Sequence, residues 1–213
     1  AQYSLLLNPN GGMVDDIIVY CIEKGSIYLV CVNASNADKD FEWMKKNNKG
    51  AIIENQSNKW AQIAIQGPKA VRLMSRVLGD WVAEIKYFEF KPDNRHGQTW
   101  YVARTGYTGE DGYEVFLPNA HAAMFWRELL EKGKDLGVSA IGLGARDTLR
   151  TEYKYSLYGN EITDDTNALE AGLGWVIKFA KGDFIGKAAL EKSKAEGLKN
   201  KLVGFKMVDR GIP

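Results

Sequence analysis

MVDDIIVYCIEKGSIYLVCV, residues 13–32, decides the fold class. Two runs, 14–22 and 27–32, are apolar at nearly every position and rich in β-branched side chains. Glu23, Lys24, Gly25 and Ser26 between them are turn formers. Such a pattern predicts a β-hairpin. Neither run alternates cleanly between apolar and polar, so both faces of its sheet are expected to be covered. Cys21 and Cys31 sit inside the two runs. They are expected to be small buried side chains, and nothing in the sequence demands a disulfide between them.

Working outward, residues 4–7 are β-prone, and Asn8-Pro9-Asn10-Gly11-Gly12 is a strong turn signal. Downstream, Asn36 reads as a helix N-cap, followed by Ala37, Phe41 and Met44 at helical spacing. Strands are predicted at 51–54 and 60–65. A helix opening at Gly67-Pro68 carries Val71, Met74 and Leu78 on one face and stops at Gly79. A strand pair is predicted at 84–90 and 99–104, with residues 92–97 as its loop, then a strand at 113–117. Asn119 begins a helix to Lys132 with Ala122, Phe125 and Leu129 on one face. A helix at 143–152, a strand at 173–179, a helix at 183–194 and a strand at 201–208 complete the reading.

This order of strand pairs and helices, run through twice, predicts an α+β fold of two intertwined units with mostly antiparallel sheets. Residues 1–198 read as one domain. Residues 193–200 are the best linker candidate, and 199–213 read as the first strand of a further domain. The chain opens inside a β-prone run and stops directly after another, as a piece of a longer protein would.

Lys and Arg number 28 against 27 Asp and Glu, a balance that argues against a general nucleic-acid binder. No apolar run is long enough to span a bilayer as a helix. Two His and two Cys at wide spacing form no metal-ligand pattern.

Three stretches place charged groups where a plain scaffold would not. In the first, Asp15 and Asp16 are adjacent at the mouth of an apolar strand, so they point to opposite faces. Both faces are apolar, and periodicity does not distinguish which carboxylate is buried; both also suit a turn that bonds nearby backbone N–H groups. The second is RTGYTGEDGYE, residues 104–114. Its glycines permit close backbone approach, and Glu114 lies within a strand, where a buried carboxylate needs partners. It lacks the Lys-Ser/Thr ending of a phosphate loop. A decorated hairpin connection explains the same residues. In the third, GLGARDTLR, residues 142–150, Arg146 sits in a helix's first turn, where a cation is disfavoured. Either a functional carboxylate or a structural Arg–Asp pair would hold it there.

Taken in order, YSLLLNPNGGMVDDIIVY (3–20), VNASNADKDFEWM (32–44), IAIQGPKA (63–70), RTGYTGEDGYEVF (104–116), IGLGARDTLRTE (141–152), LYGNEI (157–162), LEAGLGWVIK (169–178) and GDFIGKAAL (182–190) closely resemble the aminomethyltransferase family, the T-protein of the glycine cleavage system. The likeness spans essentially the whole chain. It implies a folate-binding aminomethyltransferase fold, with a small C-terminal β-barrel of which 199–213 would be the beginning. It implies transfer of the methylene of an aminomethyl-lipoyl H-protein to tetrahydrofolate, with release of ammonia and no metal. The implied partners are the lipoylated H-protein and the other glycine cleavage components, with no nucleic acid or membrane. A bacterial cytoplasm and a mitochondrial matrix are both compatible.

Residue by residue, the resemblance makes Asp16 the catalytic carboxylate beside folate N5 and Glu114 the pterin-binding carboxylate. It places Tyr3, Tyr107 and Arg146 in the folate pocket, with Asn33 and Trp175 as wall residues. Arg104 and Asp111 are expected to shape their loop. Tyr153-Lys154-Tyr155 departs from the family pattern, which bears on local packing. Part of the family's folate site lies in the barrel, so the chain alone is expected to be inactive. The alternative readings are a folate-dependent demethylase of the same fold and a non-catalytic folate-binding assembly factor, whose signature cysteine RTGYTGEDGYE lacks.

Overall fold

The computed structural model describes residues 1–211. Its elements run β1 (Gln2–Leu7), β2 (Met13–Glu23), β3 (Ile27–Cys31), α1 (Ala37–Lys46), β4 (Trp60–Gln66), α2 (Ala70–Leu78), β5 (Phe90–Arg95), β6 (Gln98–Ala103), β7 (Gly112–Pro118), α3 (Asn119–Lys132), α4 (Leu143–Glu152) and α5 (Lys187–Glu196), with short 3-10 turns between. The strands form sheets of order β1-β2-β3 and β4-β7-β6-β5. The described chain is α+β, as expected, and the β4-β7-β6-β5 sheet is antiparallel throughout. Its residues divide into two compact units, and the chain passes between them after residues 2, 19, 27, 42 and 155.

The first unit holds residues 43–155 with two short upstream pieces. β7 is central in its sheet and buried on both sides. Tyr113, Val115 and Leu117 point to one face and join Ile63, Ile65, Trp100 and Val102 in a core. Helices α2 and α3 close that core with Leu73, Met74, Val77, Leu78, Phe125 and Leu129. The stripes read from the two helices therefore do face inward. The opposite face of β7 carries Glu114 and Phe116, and the register sets Gln62 of β4 and Ala103 of β6 on that same side.

The second unit holds 3–19, 28–42 and the chain from Ser156 onward. Its core gathers Leu7, Met13, Ile162, Ala168, Ala171, Leu173 and Leu190. The turn at 8–12 is built by Asn8. Its Oδ1 accepts the backbone N–H groups of Asn10 at 2.9 Å and Gly12 at 3.1 Å. Its Nδ2 donates to the Asp164 carbonyl at 2.7 Å, and the Met13 N–H donates to the Thr163 carbonyl at 3.1 Å.

Several expected elements differ. The strand pair begins at Phe90 rather than residue 84, and its turn is only His96-Gly97. Both turn residues have positive φ, 50° and 72°, the conformation of a two-residue I′ hairpin. Pro92 is admitted because β5 is an edge strand. Residues 51–54 and 173–179 are not strands. In the latter, N–H groups of Val176 and Ile177 bond three residues back, and the apolar side chains serve the second core. Residues 199–211 form no strand either; apart from Leu202 N–H to the Glu170 carbonyl, no backbone ladder is offered to them among the described residues. Ile212 and Pro213 of that segment lie outside the described residues. The last helix starts at Lys187 behind Gly186, not at Asp183. Cys21 is exposed and Cys31 half-buried, neither in a disulfide, and Ile27 and Tyr28 are half exposed. Coverage of the hairpin thus fades beyond Tyr20.

A Cβ on buried Gly12 would stand 1.7 Å from the Asp164 carbonyl oxygen. Gly12→Ala is expected to destabilise the chain by about 1–3 kcal/mol, the scale of overpacking a closed site. Urea unfolding measures this. Gly144→Ala is the control: it lies in α4 with nothing within 4 Å of its Cβ, so its midpoint should hold or rise.

Candidate functional site

Carboxylates set into strands organise one polar cluster in each unit. In the second unit, successive residues of β2 send Asp15 inward, fully buried, and leave Asp16 half-buried on the other face. Burial of Asp15 demands donors. They come from the segment that follows β3: Asn33 N–H at 3.2 Å, Asn33 Nδ2 at 2.9 Å and Asn36 Nδ2 at 2.9 Å. Asn36 is therefore a side-chain ligand of Asp15, not the helix cap that the sequence suggested.

Asn33 Nδ2 also reaches Asp16 Oδ1 at 3.0 Å, and the Tyr3 hydroxyl donates to Asp16 Oδ2 at 3.0 Å. Tyr3 in turn stacks on Trp175, with ring centroids 5.6 Å apart and planes 17° from parallel. Loss of water pushes the Asp16 carboxyl above its ordinary range; the Tyr3 and Asn33 hydrogen bonds oppose this, and the charge of Asp15 adds to it. Asp16 thus presents a partly desolvated carboxylate held by two donors, between a buried acid and an aromatic pair. The outer face of Trp175 is open, at 63% exposure. The structure brings Tyr3, Asp16, Asn33 and Trp175 together.

In the first unit the focus is Glu114, buried in β7. Thr105 Oγ1 donates to its Oε2 at 2.6 Å and Gln62 Nε2 to its Oε1 at 2.8 Å. Desolvation raises the Glu114 pKa, while Thr105, the charge of Arg146 and Gln62 pull it back. A carboxylate has about four acceptor positions, so both oxygens keep acceptor capacity beyond these bonds. Arg146 lies over the Tyr107 ring at 4.4 Å, and Tyr107 stacks on Tyr155 at 5.7 Å and 23°. The structural Arg–Asp pair of α4 is made by Arg150 and Asp147 instead, leaving Arg146 to the aromatic ring.

The loop between β6 and β7 is shaped as expected. Arg104 grips both oxygens of Asp111 at 2.9 and 2.6 Å and donates to the Ile85 carbonyl at 2.8 Å. Gly109 has φ +76°, and a Cβ there would meet the Tyr153 ring at 2.1 Å. The unusual 153–155 stretch therefore packs on the loop with one tyrosine and on Tyr107 with the other.

Thr105, Gln62 and Asp40 were not singled out by sequence reasoning. Gln62 carried a readable signal: in WAQIAIQ it alternates with Ile63 and Ile65 and so shares the face of Glu114. Asp40, four residues after Asn36 on the inner side of α1, is buried, whereas Phe41 and Met44 are half-buried. Among the described residues no group of three His, Cys, Asp or Glu is placed to hold a metal ion. No described helix is long and apolar enough to cross a membrane.

Residues 1–181 match the GCVT N-terminal domain family. The chain belongs to this family. It is 62% identical over 213 residues to an aminomethyltransferase of Bdellovibrio bacteriovorus, covering all of this chain and 59% of that protein. It is 51% identical over 215 residues to an aminomethyltransferase of Caldanaerobacter subterraneus, covering 99% of this chain and 57% of that one. The crystal structure of glycine cleavage system aminomethyltransferase T from Bartonella henselae superposes with a TM-score of 0.79 at 32% identity, over 92% of this chain and 53% of that one. The chain therefore spans a little over half the length of these relatives of the GCVT family.

Thr105→Val removes one of the donors that hold the buried Glu114 carboxylate. The expected loss is about 1.5–3 kcal/mol, the range for a hydrogen bond to a charged group. The sign with pH follows from which form needs the donor. The loss should be largest above the raised Glu114 pKa, where the group is ionised, and shrink on the acid side. Chemical unfolding of both proteins across pH measures it.

Proposed function

We propose that the full protein to which this chain corresponds is a tetrahydrofolate-dependent aminomethyltransferase of the glycine cleavage system. It would move the methylene of an aminomethyl-lipoyl H-protein to tetrahydrofolate with release of ammonia. The observation that carries the reading is Asp16: a desolvated carboxylate held by Tyr3 and Asn33, in a member of this family. The names of the relatives support it.

The residues of the chain fit such a ligand. Glu114 offers two acceptor oxygens suited to the adjacent ring N–H and amino donors of a pterin. Tyr107 seats Arg146, whose fixed positive charge suits the anionic tail of a folate. Tyr3 and Trp175 supply an aromatic surface. Tetrahydrofolate, when bound, supplies the nitrogen that accepts the methylene. The chain's part is to orient that nitrogen and to stabilise positive charge as it develops, which Asp16 does as an anion. Desolvation raises its pKa, and the hydrogen bonds from Tyr3 and Asn33 favour the ionised form.

Asp16→Asn in the full-length protein should remove most transfer while tetrahydrofolate binding is retained. Turnover with lipoylated H-protein, beside a binding isotherm, checks this; near-normal turnover would overturn the role of Asp16. Turnover with a methylated amine donor in place of the H-protein would favour a demethylase of the same fold.

Glu114→Gln should weaken tetrahydrofolate binding by about 1.5–3 kcal/mol, because an amide donor then faces ring donors. Calorimetry gives the dissociation constant, and an unchanged value would remove Glu114 from the pocket.

A further inference from the structure

Asp40 is the least explained group in the molecule. It lies on α1 with no exposure to solvent, and among the described residues neither of its carboxyl oxygens receives a hydrogen bond. The group set against it is another carboxyl, that of Asp15, which is equally buried. The other charged groups facing it are Asp16 from β2 and Lys39 from its own helix. Lys39 is already engaged: its ammonium sits 3.8 Å from the centre of the Tyr158 ring and 3.7 Å from Asp164. Among the described residues, the one cation that acts on Asp40 is thus shared with Tyr158 and Asp164.

Two fully buried carboxyls set against each other strongly disfavour a second ionisation, because burial weakens the solvent screening of their charges. One proton turns the contact from repulsion into an O–H···O⁻ hydrogen bond, among the strongest that side chains form. The donors decide where that proton resides. Asp15 receives one backbone N–H and two amide groups, all of which favour an anion. Asp40 receives none. The proton therefore belongs to Asp40.

We propose that Asp40 is a positioning residue: a neutral carboxylic acid whose proton is donated to Asp15, so that Asp15 and Asn33 together fix the carboxylate of Asp16. The link is Asn33. Its Nδ2 is shared between Asp15 Oδ1 at 2.9 Å and Asp16 Oδ1 at 3.0 Å, so the side chain that clamps Asp15 also aims at Asp16. With Asp40 protonated, Asp15 has the N–H donors of Asn33 and Asn36 and an O–H donor from Asp40, and Asn33 has a single amide orientation that satisfies both Asp15 and Asp16. Ionisation of Asp40 would set a second negative charge against Asp15 and loosen that clamp. Burial, the bond to Asp15 and its charge push the Asp40 carboxyl up to about 8, opposed by Lys39. The same ionisation sets a sign for stability. A native pKa raised above the unfolded one favours the fold at low pH, and that contribution disappears as pH rises toward about 8. Asp16 and Glu114, also raised, slope the same way in every variant that keeps them.

The functional consequence rests on Asp16 being the catalytic carboxylate, but the pair itself is read without activity. The test uses this chain with carbon-13-labelled aspartate and follows each side-chain carboxyl by NMR through a pH titration. Asp40 should keep the signature of a protonated acid through neutral pH and ionise near pH 8. The Asp16 resonance should show a second inflection at that same pH. Asp40→Asn keeps an N–H donor toward Asp15 and cannot ionise; it should retain the Asp16 resonance position and lose the second inflection. Asp40→Leu fills the space without a donor and should displace both the Asn33 amide and Asp16 resonances. Titration of Asp40 in the ordinary carboxylate range would overturn the proposal, as would an inflection of Asp16 that persists in Asp40→Asn. These readings do not depend on whether Asp40→Leu folds. In the full-length protein, kcat rather than KM should fall near pH 8 in the unmodified protein and not in Asp40→Asn. If the NMR result holds and the kcat profiles coincide, the pair stands and the catalytic role of Asp16 falls.

Discussion

A carboxylate removed from water must be surrounded by donors or by a shared proton, and Asp15 is removed completely. That requirement reaches well beyond one side chain. It fixes the path after β3, where Asn33 and Asn36 must turn back to give three hydrogen bonds. It bears on the rotation of α1, which presents Asp40 inward while Phe41 and Met44 stay half-buried. Strand alternation then places Asp16 on the opposite face from Asp15, half-buried, within reach of Tyr3 and of the same Asn33. The exposed end of the arrangement is what the chain can offer to a ligand, and its rigidity comes from the buried end.

The first unit meets the same requirement with neutral donors. Glu114 stands on a strand whose other face belongs to a core closed by α2 and α3, so β7 cannot shift without breaking that packing. Thr105 and Gln62 approach from the loop and the neighbouring strand and complete its first hydrogen bonds. The Arg104–Asp111 grip and the Gly109 turn against Tyr153 hold the loop that delivers Thr105 and Tyr107. Charge is supplied from a greater distance by Arg146, itself seated on an aromatic ring.

Sequence reading located these clusters because both announce themselves against an apolar background. Asp15-Asp16 interrupts a strand, and Glu114 sits between Tyr113 and Val115. The hairpin, the helices of the first core and the 104–112 loop were legible for the same reason: period and turn chemistry are local. What was not legible depends on tertiary neighbours. Residues 173–179 and 201–208 have strand composition, but a strand exists only where another strand pairs with it. Pro92 reads as a loop until β5 is known to be an edge. Asn36 has the identity of an N-cap, and only the buried Asp15 recruits its side chain elsewhere. Asp40 shares a helix face with Ala37 and Met44, but the full burial of a carboxyl there depends on Asp15, which no periodicity can foretell.

The direction of the pKa displacements separates two kinds of acid in this protein. Asp111, Asp135 and Glu170 lie below their ordinary values, held by Arg104, by Arg76 and by the side-chain and backbone N–H groups around Asn200. Their contribution to the fold is present above the ordinary carboxylate pKa and is lost as pH falls through the lowered one. Asp16, Asp40 and Glu114 lie above theirs, each chiefly through desolvation. Their contribution runs the other way, greatest on the acid side and lost as pH rises through the raised value. Acids that only join surface segments therefore stabilise the fold at neutral pH, whereas those of the candidate site oppose it there. Such opposition persists in a marginally stable chain only where the surrounding packing is strong enough to hold it. The two groups rest against the two cores: Glu114 on the strand that anchors the first, and Asp15-Asp16 on the strand whose Met13 enters the second.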